Sequence, residues 1–330
     1  MSKLLTIAIP TYNRLDQLKK SLPFILKQID YKEIELIIYD NCSTDGTDKY
    51  IKNLIMKGEN IVYYKNDENL GADRNFLNCF DKASGNYVWL IGDDDYLLSG
   101  AINSIISCLK LNPDLLHVNS CILKNDSPIT IKNPRFKEDG ILVYQNKNEF
   151  LEQIGIFITF VSGIIYKNKL VKMIKDKEDY IGTYFLQSHI ALKAMTNGKK
   201  FIINTKNCIA ESGNEKINYD LYYVWFNCFY KLLYETGIKA KFDENTIRTT
   251  YINSVNNYVF YFVLQYRVSC RRQNLNWEKR YAFNILKLFP ELRNDFIFVL
   301  KSPVYILYFY KFLLIIINYL RRLNKLCKID

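Results

Sequence analysis

The chain has no Cys-x-x-Cys pair and no histidine-rich stretch, and its 330 residues include only two histidines. Its eight cysteines, at positions 42, 79, 108, 121, 208, 228, 270 and 327, therefore follow neither a metal-ligand nor a disulfide-framework spacing. They read as reduced residues of a cytosolic protein. No internal repeat or low-complexity linker divides the sequence. The amino terminus holds one lysine and a six-residue apolar stretch, Leu4 to Ile9, which is too short for a signal peptide. Disorder is excluded as the dominant state by 49% hydrophobic and 15% aromatic residues. At this length the chain exceeds a usual single domain and can bury a large core. The net charge is +11, part of which reads as compositional drift, because Lys, Asn, Ile and Tyr are all abundant.

What is present is ordered from the first residues onward. The apolar run Leu4 to Ile9 stops at Pro10-Thr11-Tyr12-Asn13-Arg14, the pattern of a strand buried on both faces that ends in a polar loop. A helix with apolar positions at Leu15, Leu18, Leu22 and Ile25 follows, then a strand from Ile34 to Tyr39 and the polar loop Asp40 to Thr47. Strand, helix, strand at this spacing predicts a parallel crossover. A helix near Asp48 to Met56, a strand at Asn60 to Tyr64, a helix from about Gly71 to Ala83 and a strand at Tyr87 to Leu90 complete the pattern. In open α/β sheets ligands bind at the carboxyl ends of the strands, where these polar loops emerge.

After the last of these strands comes Ile91-Gly92-Asp93-Asp94-Asp95-Tyr96-Leu97. Three adjacent carboxylates repel one another unless a cation or a set of donors sits among them. Mg²⁺ and Mn²⁺ prefer carboxylate oxygens and keep open positions for phosphates, so a nucleotide diphosphate is the natural ligand. The plain alternative is a solvated acidic turn.

Together Pro10-Thr11-Tyr12-Asn13-Arg14, Asp40-Asn41-x-Ser43-Thr44-Asp45-Gly46-Thr47, Asn69-x-Gly71-x-x-x-Asn75, Gly85-x-Tyr87 and the aspartate run resemble the family-two inverting glycosyltransferases of the GT-A fold. The resemblance is good over residues 3 to 125, loose over 126 to 215 and nearly absent beyond. It implies an α/β GT-A domain over 1–215, with a donor-binding half at 1–125 and an acceptor half at 126–215. A mostly helical region would then occupy 216–330. It further implies that Thr11, Tyr12 and Asp40 contact the nucleotide base, with Pro10 and Asn41 also in the donor site, and that Arg14 and Arg74 face the diphosphate. Asp93 or Asp94 would lie toward the ribose, and Asp95 would hold Mn²⁺ or Mg²⁺. A carboxylate at Asp40 can accept the imide N–H of uracil or thymine, which favours UDP or dTDP. Capping is the alternative for Asp40, and an ordinary surface arginine the alternative for Arg74.

The acceptor half departs from the family. Relatives supply a general base from a Glu-Asp pair about eleven residues before a glycine, but here the count back from Gly198 reaches Gln187. A glutamine cannot take a proton. His189 is the nearest substitute by pKa, and Asp179, with Asp176 and Glu178, is the other. Ser162-Gly163, after Phe157 to Val161, resembles the strand and turn that line the acceptor pocket.

From about Tyr219 the sequence becomes aromatic and basic, with clusters at Arg267 to Arg272 and at Arg321-Arg322. The apolar segment Val304 to Leu320 is interrupted by Lys311 and Asn318, which share a helical face with Arg322 and Lys325. This pattern predicts a helix lying on an anionic membrane surface, with internal packing as the alternative and a span disfavoured by the lysine. The combined expectation is a cytoplasmic enzyme, peripheral on the inner face of the cell membrane. It would move a sugar from a nucleotide-diphosphate donor to a saccharide or lipid-linked saccharide in bacterial surface glycan synthesis. A nucleotide-sugar-binding protein without turnover and a basic nucleic-acid-binding protein are the alternatives. The latter needs basic residues interleaved with exposed aromatics along a groove, and no nucleic acid is expected as a partner.

Overall fold

A computed structural model describes residues 3–122, 136, 139–211, 219–269, 278–292 and 294–326. The chain forms two compact units, one of Met1–Lys216 with Lys231–Ile247 and the other of Ile217–Tyr230 with Arg248–Asp330. Residues 231–247, which composition groups with the C-terminal region, thus belong to the first unit. They are tied there by polar contacts as well as packing, for Lys147 donates to the carbonyl of Ala240 at 2.6 Å and Thr246 to Glu152 at 2.8 Å.

In the first unit β1 (Leu5–Thr11), α1 (Leu15–Leu26), β2 (Ile34–Asp40), α2 (Thr47–Met56), β3 (Ile61–Lys65), α3 (Ala72–Lys82) and β4 (Tyr87–Leu90) alternate as the sequence pattern requires. β1 runs parallel to β2 and to β4, and β2 runs parallel to β3. Every residue of β1 is buried, which explains its unbroken apolar run. Leu18, Leu22 and Ile25 of α1 close one face of the core.

The sheet continues through β5 (Tyr96–Leu97), α4 (Ala101–Leu109), β6 (Leu115–Ile122), β7 (Ile141–Tyr144), α5 (Lys147–Ile154), β8 (Ile164–Lys167), α6 (Asn168–Met173), α7 (Leu186–Asn197) and β9 (Phe201–Glu211). Its order is β3-β2-β1-β4-β8-β6-β9-β5, with β7 also on β9. β8 is antiparallel to both β4 and β6, so the sheet is mixed beyond its parallel half. The apolar stretch before Ser162 is not a strand. Gly155–Thr159 and Val161–Gly163 form 3₁₀ turns that bury Ile156 and Ile158, and the strand begins only at Ile164. A short apolar run buries equally well as either element, so its periodicity does not decide between them.

The C-terminal part of the chain is helical: α8 (Phe229–Lys231), α9 (Glu244–Ser254), α10 (Phe260–Ser269), α11 (Arg280–Leu288), α12 (Asp295–Lys301) and α13 (Val304–Leu326), with π-helical turns at Tyr223–Cys228, Leu232–Gly237 and Val255–Val259. The second unit is centred on aromatic rings, Phe296 meeting Phe226 and Phe260 at centroid distances of 5.5 and 5.2 Å. Among the described residues no helix is long and apolar enough to cross a membrane. Arg271 and Arg272, and the side chains of Asn318, Arg321, Arg322 and Lys325, lie outside the described residues. So do Cys270 and Cys327, and the described cysteines are free thiols.

Candidate active site

Three polar loops leave the carboxyl ends of β1, β2 and β3 and are sewn to one another. The amide of Asn13 donates to Ser43 at 2.9 Å, and the Asn13 side chain accepts from the amide of Thr44 at 2.8 Å. Asp45 accepts from the amide of Leu15, the first residue of α1, at 2.8 Å. Burial works against the Asp45 charge, but hydrogen bonds from Thr47 and from the Leu15 amide outweigh it and hold the carboxyl below its usual range. Asn41 joins the third loop, donating to Asn69 at 2.7 Å and accepting from Asn66 at 2.8 Å and from the amide of Leu70 at 3.0 Å. Tyr12 stands exposed beside this network.

Asp40, expected at the nucleotide base, is fully buried. One carboxylate oxygen accepts from the amide of Ser43 at 2.7 Å and the other from the Tyr63 hydroxyl at 2.6 Å. One oxygen thus braces the turn after β2 and the other is tied to the neighbouring strand β3. Pro10 is an interior residue of β1 in register with Tyr39.

The acidic run turns back immediately after β4. A Cβ on Gly92 would lie 2.9 Å from a carboxylate oxygen of Asp95 and 3.2 Å from one of Asp94, so the absent side chain leaves room for both carboxylates. Arg14 bridges the first two aspartates, its Nε 2.8 Å from Asp93 and its Nη2 2.8 Å from Asp94. Thr11 donates to Asp93 at 2.7 Å. Asp95 is buried and accepts a hydrogen bond from Ser162 at 2.5 Å. Burial pushes the Asp95 carboxyl well above the usual carboxylate range; the Ser162 hydrogen bond opposes this, while Asp94, Glu211 and Asp93 add to it.

Glu211 is the residue that sequence reasoning missed. β5 pairs with the end of β9, Tyr96 opposite Ala210, which brings Glu211 beside the acidic run. Burial raises its carboxyl, a hydrogen bond from Ser120 opposes, and the charge of Asp94 raises it further. The missing signal was a two-residue edge strand, which carries too few positions for a period-2 pattern.

The cluster thus holds Asp93, Asp94, Asp95 and Glu211 with the single guanidinium of Arg14 placed on the first two. Among the described residues neither Asp95 nor Glu211 forms an ion pair. A divalent cation fits this excess of buried negative charge. Among the described residues no three His, Cys, Asp or Glu side chains are gathered into a cage. An open site completed by phosphate oxygens requires only one or two carboxylates.

The other expected site residues lie elsewhere. Arg74, in the first turn of α3, pairs with Glu178 at 2.8 Å, and the neighbouring Asp73 accepts from the amide of Gly182 at 2.7 Å. The loop around Lys177–Tyr180 is therefore docked on the amino-terminal turn of α3. Asp176 pairs with Lys193 at 2.7 Å; burial opposes its charge, but Lys193 holds the carboxyl below its usual range. Asp179 is exposed on the same loop with no ion pair among the described residues.

His189 is buried on α7. Its Nδ1 is 2.7 Å from the Thr236 hydroxyl, and its ring stacks on Tyr180 with centroids 4.3 Å apart. Burial, then the charges of Lys193 and Lys239, push its pKa down to about 3. A ring so enclosed is neutral at neutral pH and a weaker proton acceptor than a free imidazole. Gln187 is buried too, donating to the carbonyl of Thr159 at 2.8 Å.

A parallel half-sheet that delivers polar loops, an arginine and a carboxylate cluster at its strand ends, joined to a half of mixed strand direction, is the GT-A architecture of nucleotide-sugar transferases. Residues 6–174 match the model described as Glycosyl transferase family 2, and the chain belongs to that family. It is 30% identical over 219 residues to the abequosyltransferase RfbV of Salmonella typhimurium, covering 62% of this chain and 63% of that protein. Over 183 residues it is 34% identical to the GalNAc(5)-diNAcBac-PP-undecaprenol beta-1,3-glucosyltransferase of Campylobacter jejuni, covering 54% and 56%. The chain spans about three fifths of the length of these curated relatives. The structure of S. aureus TarS 1–349 with UDP-GlcNAc matches at a TM-score of 0.64 and 16% identity, over 89% of this chain and 82% of that one, a likeness of fold.

Proposed function

We propose that the protein is an inverting glycosyltransferase that moves a sugar from a nucleotide-diphosphate donor to a hydroxyl of a saccharide acceptor in bacterial surface glycan synthesis. The observation that carries this reading is the Asp93, Asp94, Asp95 and Arg14 cluster at the carboxyl ends of β1 and β4, inside the segment that matches the family. UDP is the favoured nucleotide and dTDP the next. The support is the UDP-GlcNAc bound by S. aureus TarS, since both Asp40 oxygens already accept hydrogen bonds, from the Ser43 amide and the Tyr63 hydroxyl. The acceptor is a lipid-linked saccharide by analogy with the undecaprenol-linked substrate in the name of the C. jejuni relative. The corresponding workplace is the cytoplasmic face of the cell membrane.

In this mechanism the exposed Tyr12 ring stacks on the base, and Asp93 or Asp94 binds the ribose hydroxyls. Asp95 would hold Mn²⁺ or Mg²⁺, which when bound would supply charge neutralisation for the departing nucleoside diphosphate. Arg14 and Arg74 exchange their carboxylate partners for phosphate oxygens. The acceptor oxygen forms its bond to the anomeric carbon as the bond to the diphosphate breaks, and configuration inverts in that single displacement. Asp179, exposed on the docked loop, takes the acceptor proton.

Gln187, at the position where relatives place the base, favours one other reading, a nucleotide-sugar-binding protein without turnover. Thermal shift of the full chain with nucleoside diphosphates and Mn²⁺, followed by a radiolabelled transfer assay, separates the two. Binding with transfer supports the enzyme. Binding without transfer to any saccharide acceptor supports the binding protein, and no nucleoside diphosphate binding overturns both.

A further inference from the structure

Asp93 and Asp94 are paired with a cationic side chain, Arg14, whereas Asp95 is held by one neutral hydroxyl. Ser162 is fully buried in the 3₁₀ turn Val161–Gly163, and its Oγ donates to Oδ2 of Asp95 at 2.5 Å. The direction of that bond is fixed. A serine hydroxyl has a single hydrogen, and the oxygen here already accepts from the Gly92 amide at 2.8 Å, which leaves the hydrogen for the carboxylate. The other carboxylate oxygen of Asp95, Oδ1, accepts no hydrogen bond among the described residues. Both turns are closed by their own main chain. The Asp95 amide donates to the Gly92 carbonyl at 3.1 Å, and the Gly163 amide to the Phe160 carbonyl at 3.0 Å. The serine turn is fastened once more through its backbone, the Ser162 carbonyl accepting from the Trp89 indole at 2.8 Å. The hydroxyl is thus spare for the Asp95 side chain.

We infer that Ser162 is a positioning residue for the divalent cation: it grips the Asp95 carboxylate by one oxygen and so leaves the other for Mn²⁺ or Mg²⁺. The inference rests on the proposed role of Asp95 as the carboxylate that holds the cation. A carboxylate turns about the last bond of its side chain, and one already oriented by a buried donor loses little freedom when a cation binds. The neutrality of the donor matters as well. A lysine or arginine in place of the serine would compete with the cation for Asp95, as Arg14 does at Asp93 and Asp94. The clasp also joins separate parts of the sheet, since the aspartate follows β4 and the serine precedes β8, the strand antiparallel to it. The cation site is therefore complete only when the parallel half and the rest of the sheet are assembled.

The experiment is calorimetric titration of Mn²⁺ into the full chain with UDP present, against the same titration into UDP alone, with UDP affinity in EDTA measured separately. Ser162→Ala should bind Mn²⁺ about tenfold or more weakly, the usual cost of removing a partner that orients a metal ligand. Its metal-free UDP affinity should stay at the native value. Ser162→Cys fills the same space with a much weaker donor and should show the same loss, so the result does not depend on how well the alanine variant folds. In an Asp95→Asn background Ser162→Ala should cost nothing further, because the serine acts through that carboxylate. Native Mn²⁺ affinity in both serine variants overturns the inference. So does an equal loss in the Asp95→Asn background, or a fall in metal-free UDP affinity that matches the fall for Mn²⁺, since either makes the hydroxyl a general support of the fold. A native chain that binds UDP but takes up no Mn²⁺, or an Asp95→Asn variant that takes it up as well as the native chain, overturns the cation-holding role of Asp95 itself and the inference with it.

Discussion

The hydroxyl of Ser162 lies 2.5 Å from a carboxylate oxygen of Asp95, and the same hydroxyl accepts from the amide of Gly92 at 2.8 Å. The Ser162 carbonyl in turn accepts from the indole of Trp89 at 2.8 Å. One serine from the acceptor half therefore fixes both ends of the acidic turn and the strand that delivers it. Such a clasp holds a buried carboxylate in place, yet a neutral hydroxyl cannot balance its charge.

Substituting Asp95 should consequently expose the cost of that charge. Its carboxyl is raised in the folded protein, so the folded state binds the proton more readily than the unfolded chain does. Stability is then highest below the unfolded value of about 3.9 and is lost as pH rises through the folded value. In EDTA, Asp95→Asn should be more stable than the native chain at pH 8, and the gap should close as pH falls toward about 4. Mn²⁺ should narrow the gap at pH 8, while transfer by the variant drops by orders of magnitude. Urea denaturation across pH checks the first part; a variant no more stable than the native chain at pH 8 would count against a buried, uncompensated carboxylate.

Arg14 makes the opposite contribution. Its guanidinium bridges Asp93 and Asp94 from a side chain that is 31% exposed, so solvent screens the pairs in part. Arg14→Ala should destabilise the metal-free protein by about 1–2 kcal/mol, less than for a fully buried pair. Arg14→Lys should recover only part of this, because a point charge cannot span two carboxylates as the planar fork does. The loss should shrink when Mn²⁺ is added. Denaturation midpoints with and without the metal measure both effects, and an identical loss in the two conditions would separate Arg14 from the cation site.

The legible part of the fold was the part with a clear period. β1 to β4 and their crossover helices follow from apolar runs cut by polar loops, and the acidic turn follows from its position after Trp89. Glu211 was invisible because its place depends on β9 pairing with an edge strand of only two residues. That both oxygens of Asp40 would meet donors within the fold, the Ser43 amide and the Tyr63 hydroxyl of the adjacent strand, was not legible, because strand register fixes the second of these contacts. Lys311 was read as part of a polar stripe on a helix at a membrane surface; its bond to Gln265 was not legible because helical spacing fixes which residues share a face but not which neighbour that face meets. His189 was chosen by its solution pKa, and burial is a property that residue identity does not carry.

That last point yields a separable pair of outcomes. His189, with its pKa depressed to about 3, stays neutral in the fold while an unfolded histidine protonates near 6.5. Its contribution is therefore complete above the unfolded value and lost as pH falls toward the folded one, amounting to about 2 kcal/mol by pH 5. His189→Phe keeps a ring against Tyr180 and removes the titration, so denaturation should show a smaller fall in stability between pH 7 and 5. With Asp179 as the proposed base, the pH–rate profile of transfer should keep its shape. Asp179→Asn should leave nucleotide affinity in place while kcat falls by about 100-fold or more. If His189→Phe instead alters the profile and Asp179→Asn does not slow transfer, the proton passes through α7, and the enclosed ring must open to the acceptor during turnover.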